Sequence, residues 1–241
     1  MNFVARKVGS WLSRYLSKEN KKASIGIPPR MEAVRQCVRP GDVILVEGNT
    51  KFSTAIKYLT QSTWSHTTLY LGTITVKGKI YHDQYIEADV SKGIVHSNLT
   101  GLRGYHIRIC RPIGLSESDI HLLRDYALTK LGGTYDLRNV FDLVRYLVPV
   151  IPFPAAHRKG LLAFGSGEPT KAICSTLVAE VFEYMHYPIL PKVDARLRYR
   201  QRNHTLFTPR DFDVSPYFKI IKPTLEKGFD FHSFGWANKP T

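Results

Sequence analysis

Cysteine is scarce in this chain of 241 residues: Cys37, Cys110 and Cys174 stand far apart, with no CxxC pair and one thiol left over in any disulfide scheme. That excludes a disulfide scaffold and gives no support to a structural zinc site, so no metal or other cofactor is expected. Long apolar runs are missing as well. Nothing approaches the roughly 18 consecutive apolar residues that span a bilayer, and the opening Met1–Leu12 lacks the continuous apolar stretch of a secretory signal. The expectation is a protein of a reducing compartment, cytoplasmic or peripheral to a membrane.

Acidic residues are few, with 20 Asp+Glu against 34 Lys+Arg and a formal net charge of +14. The imbalance sits in the flanks: residues 1–39 carry nine basic and two acidic side chains, residues 192–241 ten and five, and the middle fifteen and thirteen. Basic flanks suit nucleic acid or an anionic membrane surface, and are as often plain solvated surface. The densest run, Arg196-Leu-Arg-Tyr-Arg-Gln-Arg, has no recognised nucleic-acid fold around it and reads as a solvated face.

What is present is an ordinary globular composition, 43% hydrophobic and 12% aromatic, enough for one domain with decorations. Met1, Val4, Val8, Trp11, Leu12 and Tyr15 share a helical face among basic residues, an amphipathic helix that either docks on the domain or lies on a membrane. With the Pro28-Pro29 linker it forms a first unit, residues 1–30. Residues 31–222 form the main domain, and 223–241 an unassigned tail.

Within the domain, the turn Arg39-Pro40-Gly41-Asp42 precedes a β-rich run, Val43–Val46. A second strand starts near His66. Lys77-Gly78 can close it onto Ile80–Ala88 as a hairpin, which places His66 opposite Asp89 and Thr68 opposite Glu87. His66 and Glu87 are then diagonal neighbours on one face, while a bulge near His82-Asp83 would break the register and bring His82, Asp83 or Asp89 forward instead. Gly93–His96 and Tyr105–Ile109 read as further strands, with His82, His96, His106 and His121 taken as structural. Ser116 and Asp119 form a capping box for a helix, and Thr208-Pro209 opens a short one before the strand at Phe218.

The stretch Ala172–Phe182 organises the rest. Ile173, Leu177, Val178, Val181 and Phe182 recur at helical spacing and place Cys174 in the first turn, where free N–H groups favour a thiolate. Cys174 there is either a nucleophile or a small buried hydrophobe. The preceding residues 146–168 are apolar and proline-rich, including Phe153 and Phe164; they read as a lid or as a connection packed on the core. A strand-borne histidine, a polar residue on the next strand and a cysteine opening a helix are the parts of a thiol acyl-transfer site.

Gly41-Asp42-Val43-Ile44-Leu45, Ser65-His66, Tyr85-Ile86-Glu87-Ala88, Gly133-Thr134-Tyr135-Asp136, Cys174-Ser175-Thr176-Leu177-Val178 and Thr208-Pro209-Arg210-Asp211 come in an order that resembles the circularly permuted NlpC/P60, papain-like proteins of the YiiX/YaeF type. Related permuted proteins include lecithin:retinol acyltransferase-like enzymes. The resemblance implies an α+β fold, a small antiparallel sheet or barrel packed against helices, with a cysteine at a helix N-terminus. It implies Cys174 as nucleophile, His66 as general base and Glu87 as the group orienting the imidazole. Tyr135, Phe153 and Phe164 are candidate substrate contacts, Tyr135 being equally an ordinary core residue. The substrate expected is a peptide or N-acyl amide, or a phospholipid acyl ester; a non-catalytic module that binds a membrane or partner on the same fold is the alternative.

Overall fold

In the computed structural model, which describes residues 26–89, 92–133, 173–191 and 206–223, the alternating apolar runs become strands of one sheet. β1 (Val43–Glu47), β2 (His66–Val76), β3 (Lys79–Asp89), β4 (Gly93–Asn98), β5 (His106–Pro112) and β6 (Phe218–Ile221) lie in the order β4-β3-β2-β1-β5-β6, each neighbouring pair antiparallel. The described helices are α1 (Met31–Cys37), α2 (Lys51–Thr60), α3 (Glu117–Thr129), α4 (Ile173–Tyr184) and α5 (Pro209–Asp213). The fold is α+β. The sheet is open rather than a barrel: the short strands β4 and β6 are its edges and do not pair with each other. No described helix is long and apolar enough to cross a membrane.

Alternation along the strands buries both faces. Val43, Leu45, Leu69, Leu71, Ile86 and Ala88 face α4, whose Leu177, Val178, Val181 and Phe182 are fully buried against them. Ile44, Val46, Tyr70, Tyr85, Ile107 and Ile109 face the other way, in one cluster with Met31 and Val34 of α1 and with Val38 just after it. α4 packs on β2 and β3, and its C-terminal end lies at the bottom of the sheet. There Phe182 meets Phe218 edge-on at 5.2 Å, and the Tyr187 hydroxyl accepts the Ile113 N–H at 2.7 Å. The N-terminus of α4 therefore points to the opposite end, where β1 and β3 finish and β2 and β5 begin.

The β2–β3 hairpin keeps the register of a two-residue turn at both ends. Val76 pairs with Lys79 and Tyr70 with Tyr85, and Lys77 and Gly78 take φ of 50° and 75°, as a type I′ turn requires. Between these ends the ladder slips twice. Two steps on β2 (Tyr70 to Gly72) match one on β3, then two (Gly72 to Ile74) match three from Gln84 to Tyr81. The irregularity at His82-Asp83 is thus present, and one at Gly72 cancels it. Gly72 has φ +74°, and a Cβ there would lie 3.0 Å from Pro40 Cγ. Gly72→Ala is expected to cost about 1–2 kcal/mol, lowering the melting temperature by about 4 °C; a melt unchanged from the parent would show that this slip is not needed.

Candidate active site

The position of His66 is set from the loops around it. Trp64 is buried, 1% exposed, and Ser65 ties β2 to the end of β1: its N–H donates to Val46 O at 3.0 Å, and its Oγ accepts the Gly48 N–H at 2.9 Å. A side chain at residue 48 would collide with Ser53 and Ser65, the nearest atom lying 2.2 Å from its Cβ, so glycine permits this close seam. His66 is then the first residue of β2, opposite Val46.

Across the hairpin, His66 Nε2 lies 2.7 Å from Glu87 Oε2. The other carboxylate oxygen, Oε1, accepts the Ser97 hydroxyl of β4 at 3.1 Å. Burial would push the Glu87 carboxyl up, but the His66 hydrogen bond, the His66 charge and the Ser97 hydroxyl together hold it below its ordinary value. An ionised carboxylate only accepts, so Nε2 carries the proton of this contact and the basic nitrogen of neutral His66 is Nδ1. The other acids near the hairpin are engaged elsewhere: Asp83 with Tyr70 and Arg35, Asp89 with the Lys92 N–H.

Cys174 is the second residue of α4, whose first turn is tied down by Ser175 Oγ donating to Phe207 O at 2.6 Å. The cysteine's side chain lies outside the described residues, as do Tyr135, Phe153, Phe164, the apolar insert, residues 1–25 and the basic run at 196–202. His66 and Glu87 project on the side of Tyr70 and Tyr85, whereas α4 packs on the opposite face. A thiol carried by α4 can therefore meet this pair only around the end of the sheet, which is where the helix begins.

Two features escaped the sequence. One is Ser97, which could be found only by extending the register across β3 and β4, where Tyr85 pairs with Ser97. The other is a second carboxylate–imidazole pair: Glu47 Oε2 lies 2.8 Å from His106 Nδ1 and accepts the Gly26 N–H at 2.9 Å, while Lys57 Nζ donates to Oε1 at 3.1 Å. Burial raises the Glu47 carboxyl, but its three donors outweigh that and lower it. A Cβ on Gly26 would lie 2.3 Å from His106 Nδ1, so the backbone at residue 26 rests on the imidazole. Glu47 thus links residue 26 and His106 at this end of the sheet. Among the described residues, no group of three or more His, Cys, Asp or Glu is placed to hold a metal ion.

No protein-family model matches the chain, and no curated protein sequence does. Among solved structures it is similar to the metalloprotein YiiX from Escherichia coli O157:H7, with a TM-score of 0.41 and 16% sequence identity over 76% of this chain and 96% of that one.

Proposed function

We propose that the chain is a cysteine hydrolase or acyltransferase of the permuted papain-like, NlpC/P60 kind, cleaving an amide or ester through an acyl-enzyme on Cys174. The observation that supports it is the 2.7 Å His66–Glu87 contact at the end of the sheet toward which the cysteine helix points. In the first step Nδ1 of His66 takes the Sγ proton as the thiolate adds to the carbonyl carbon. The imidazolium returns that proton to the departing amine or alcohol as the C–N or C–O bond breaks, leaving a thioester. Water or another acceptor then gives its proton to Nδ1 while attacking the thioester, and the thiol is regenerated. The N–H groups that open a helix are by their orientation suited to holding an oxyanion.

The substrate is a peptide or N-acyl amide, or a phospholipid acyl ester at an anionic surface met by the basic flanks. Intact-mass analysis of the full chain after incubation with peptide and lipid extracts tests the reading and separates the two. The expected result is an acyl adduct on Cys174, absent from Cys174→Ala, whose mass names the acyl group. No adduct, together with iodoacetamide labelling of Cys174 as sluggish as that of a free thiol, would leave a non-catalytic binding module instead.

A further inference from the structure

Glu87 is held from two strands at once. Its Oε2 is on the His66 ring at 2.7 Å, and its Oε1 is on Ser97 Oγ at 3.1 Å. Register puts Ser97 across from Tyr85, and Glu87 across from Val95, so the hydroxyl approaches the carboxylate diagonally along one face. The Asp89 charge, two residues along β3, pushes the Glu87 carboxyl up, and Tyr85 lies beside it. Tyr85 is 4% exposed, and its phenol sits against both Glu87 and Ser97; burial and the Glu87 charge push its ionisation up, so it stays a neutral donor. A carboxylate with one oxygen unanchored could rotate about its last torsion and offer His66 either oxygen, or neither. With Ser97 in place that torsion is fixed by donors on both sides.

We infer that Ser97 is a positioning residue of the proposed active site: its hydroxyl holds the far oxygen of Glu87 so that the near one stays on His66 Nε2 and Nδ1 stays the basic nitrogen. Ser97 touches neither thiol nor substrate in this scheme and acts only through Glu87. The inference rests on the proposed thiol chemistry for its consequence, but its geometry can be read without any substrate. An apolar residue at 97 would take the Ser97 donor away from Oε1 in a site where Glu87 is mostly buried, a loss felt chiefly by the ionised form.

The test is nuclear magnetic resonance on the full chain, following the Glu87 side-chain carboxyl carbon and the His66 ring nitrogens against pH in the parent, Ser97→Ala, Ser97→Thr and Glu87→Gln. Ser97→Ala should raise the Glu87 midpoint by about half a pH unit or more and convert a single Nε2–H tautomer of His66 into a mixture. Ser97→Thr, which keeps the hydroxyl, should restore both. Melting curves of Ser97→Ala and Ser97→Thr alike would show that strand packing is not what moved. A Glu87 midpoint and His66 tautomer unchanged in Ser97→Ala, while Glu87→Gln alters the tautomer, would overturn the role of Ser97 and leave the His66–Glu87 pair standing. A His66 tautomer indifferent to Glu87→Gln would instead overturn the pair, and the proposed function with it.

Discussion

A His66→Gln variant is expected to hydrolyse 4-nitrophenyl acetate about a thousandfold more slowly than the parent chain, and a Glu87→Gln variant about a hundredfold more slowly. In the proposed mechanism the first removes the base that takes the thiol proton. The second keeps the shape of the side chain but removes its charge and replaces one acceptor oxygen with a donor. Glu87 accepts from Nε2 across 2.7 Å, whereas a glutamine amide can also donate to Nε2, which traps the proton on Nδ1, the nitrogen that serves as base in the proposed mechanism. Mild acid should not imitate the second variant. The Glu87 carboxyl is raised by burial but lowered further by His66 and Ser97, so the net shift is downward. A depressed carboxylate contributes fully above its unfolded value, and that contribution is lost only as pH falls through the folded one. The Glu87 carboxylate should therefore stay ionised across the ordinary range above pH 5. Parent-like turnover in Glu87→Gln, with His66→Gln inactive, would remove Glu87 from the mechanism; parent-like turnover in His66→Gln would remove the base.

The contact between those two residues was legible because everything that sets it is local. A two-residue turn at Lys77-Gly78 fixes which residues oppose, and strand alternation fixes which share a face. The slip at His82-Asp83 threatened that reading; it did no damage because the opposing strand slips at Gly72 by the same amount. The buried stripe of α4 was equally plain from the spacing of Leu177, Val178, Val181 and Phe182. Closure of the sheet was not, because alternation describes each strand and says nothing about whether the first and last edges meet. Partners on non-consecutive strands were also invisible. Glu47 and His106 are 59 residues apart and Asp42 and Arg111 are 69 apart, and both pairs depend on β5 crossing over to lie beside β1. His106 carries no local mark that distinguishes it from His66; strand order alone supplies its carboxylate.

The larger stability effect belongs to one of those unseen pairs. Arg111→Met should lower the unfolding free energy by about 3–4 kcal/mol and the melting temperature by about 10 °C. Arg111 holds Asp42 with two bonds, Nε to Oδ1 at 2.8 Å and a terminal nitrogen to Oδ2 at 2.7 Å, and also donates to the Cys37 carbonyl, tying the end of α1 to β5. The Asp42 side chain is 1% exposed, so methionine would leave a buried carboxylate supported by the N–H and the charge of Arg39 but no longer by its paired guanidinium. The sign with pH follows from Asp42 itself. Burial raises its carboxyl above the ordinary value even with Arg111 and Arg39 pulling it down, so the folded chain takes up this proton more readily than the unfolded one. Ionised Asp42 therefore costs stability, a cost relieved as pH falls through the folded value. Losing Arg111 moves that value higher still, so the variant's deficit should be full at neutral pH and shrink on acidification. Urea unfolding at pH 7 and pH 5 would show the gap narrowing, and Asp42→Asn added to Arg111→Met would recover much of the loss, since the amide is neutral and still accepts from Arg39. A deficit that stays the same at both pH values, or a double variant no better than the single, would mean that Arg111 stabilises the chain by packing and its Cys37 contact rather than by neutralising Asp42.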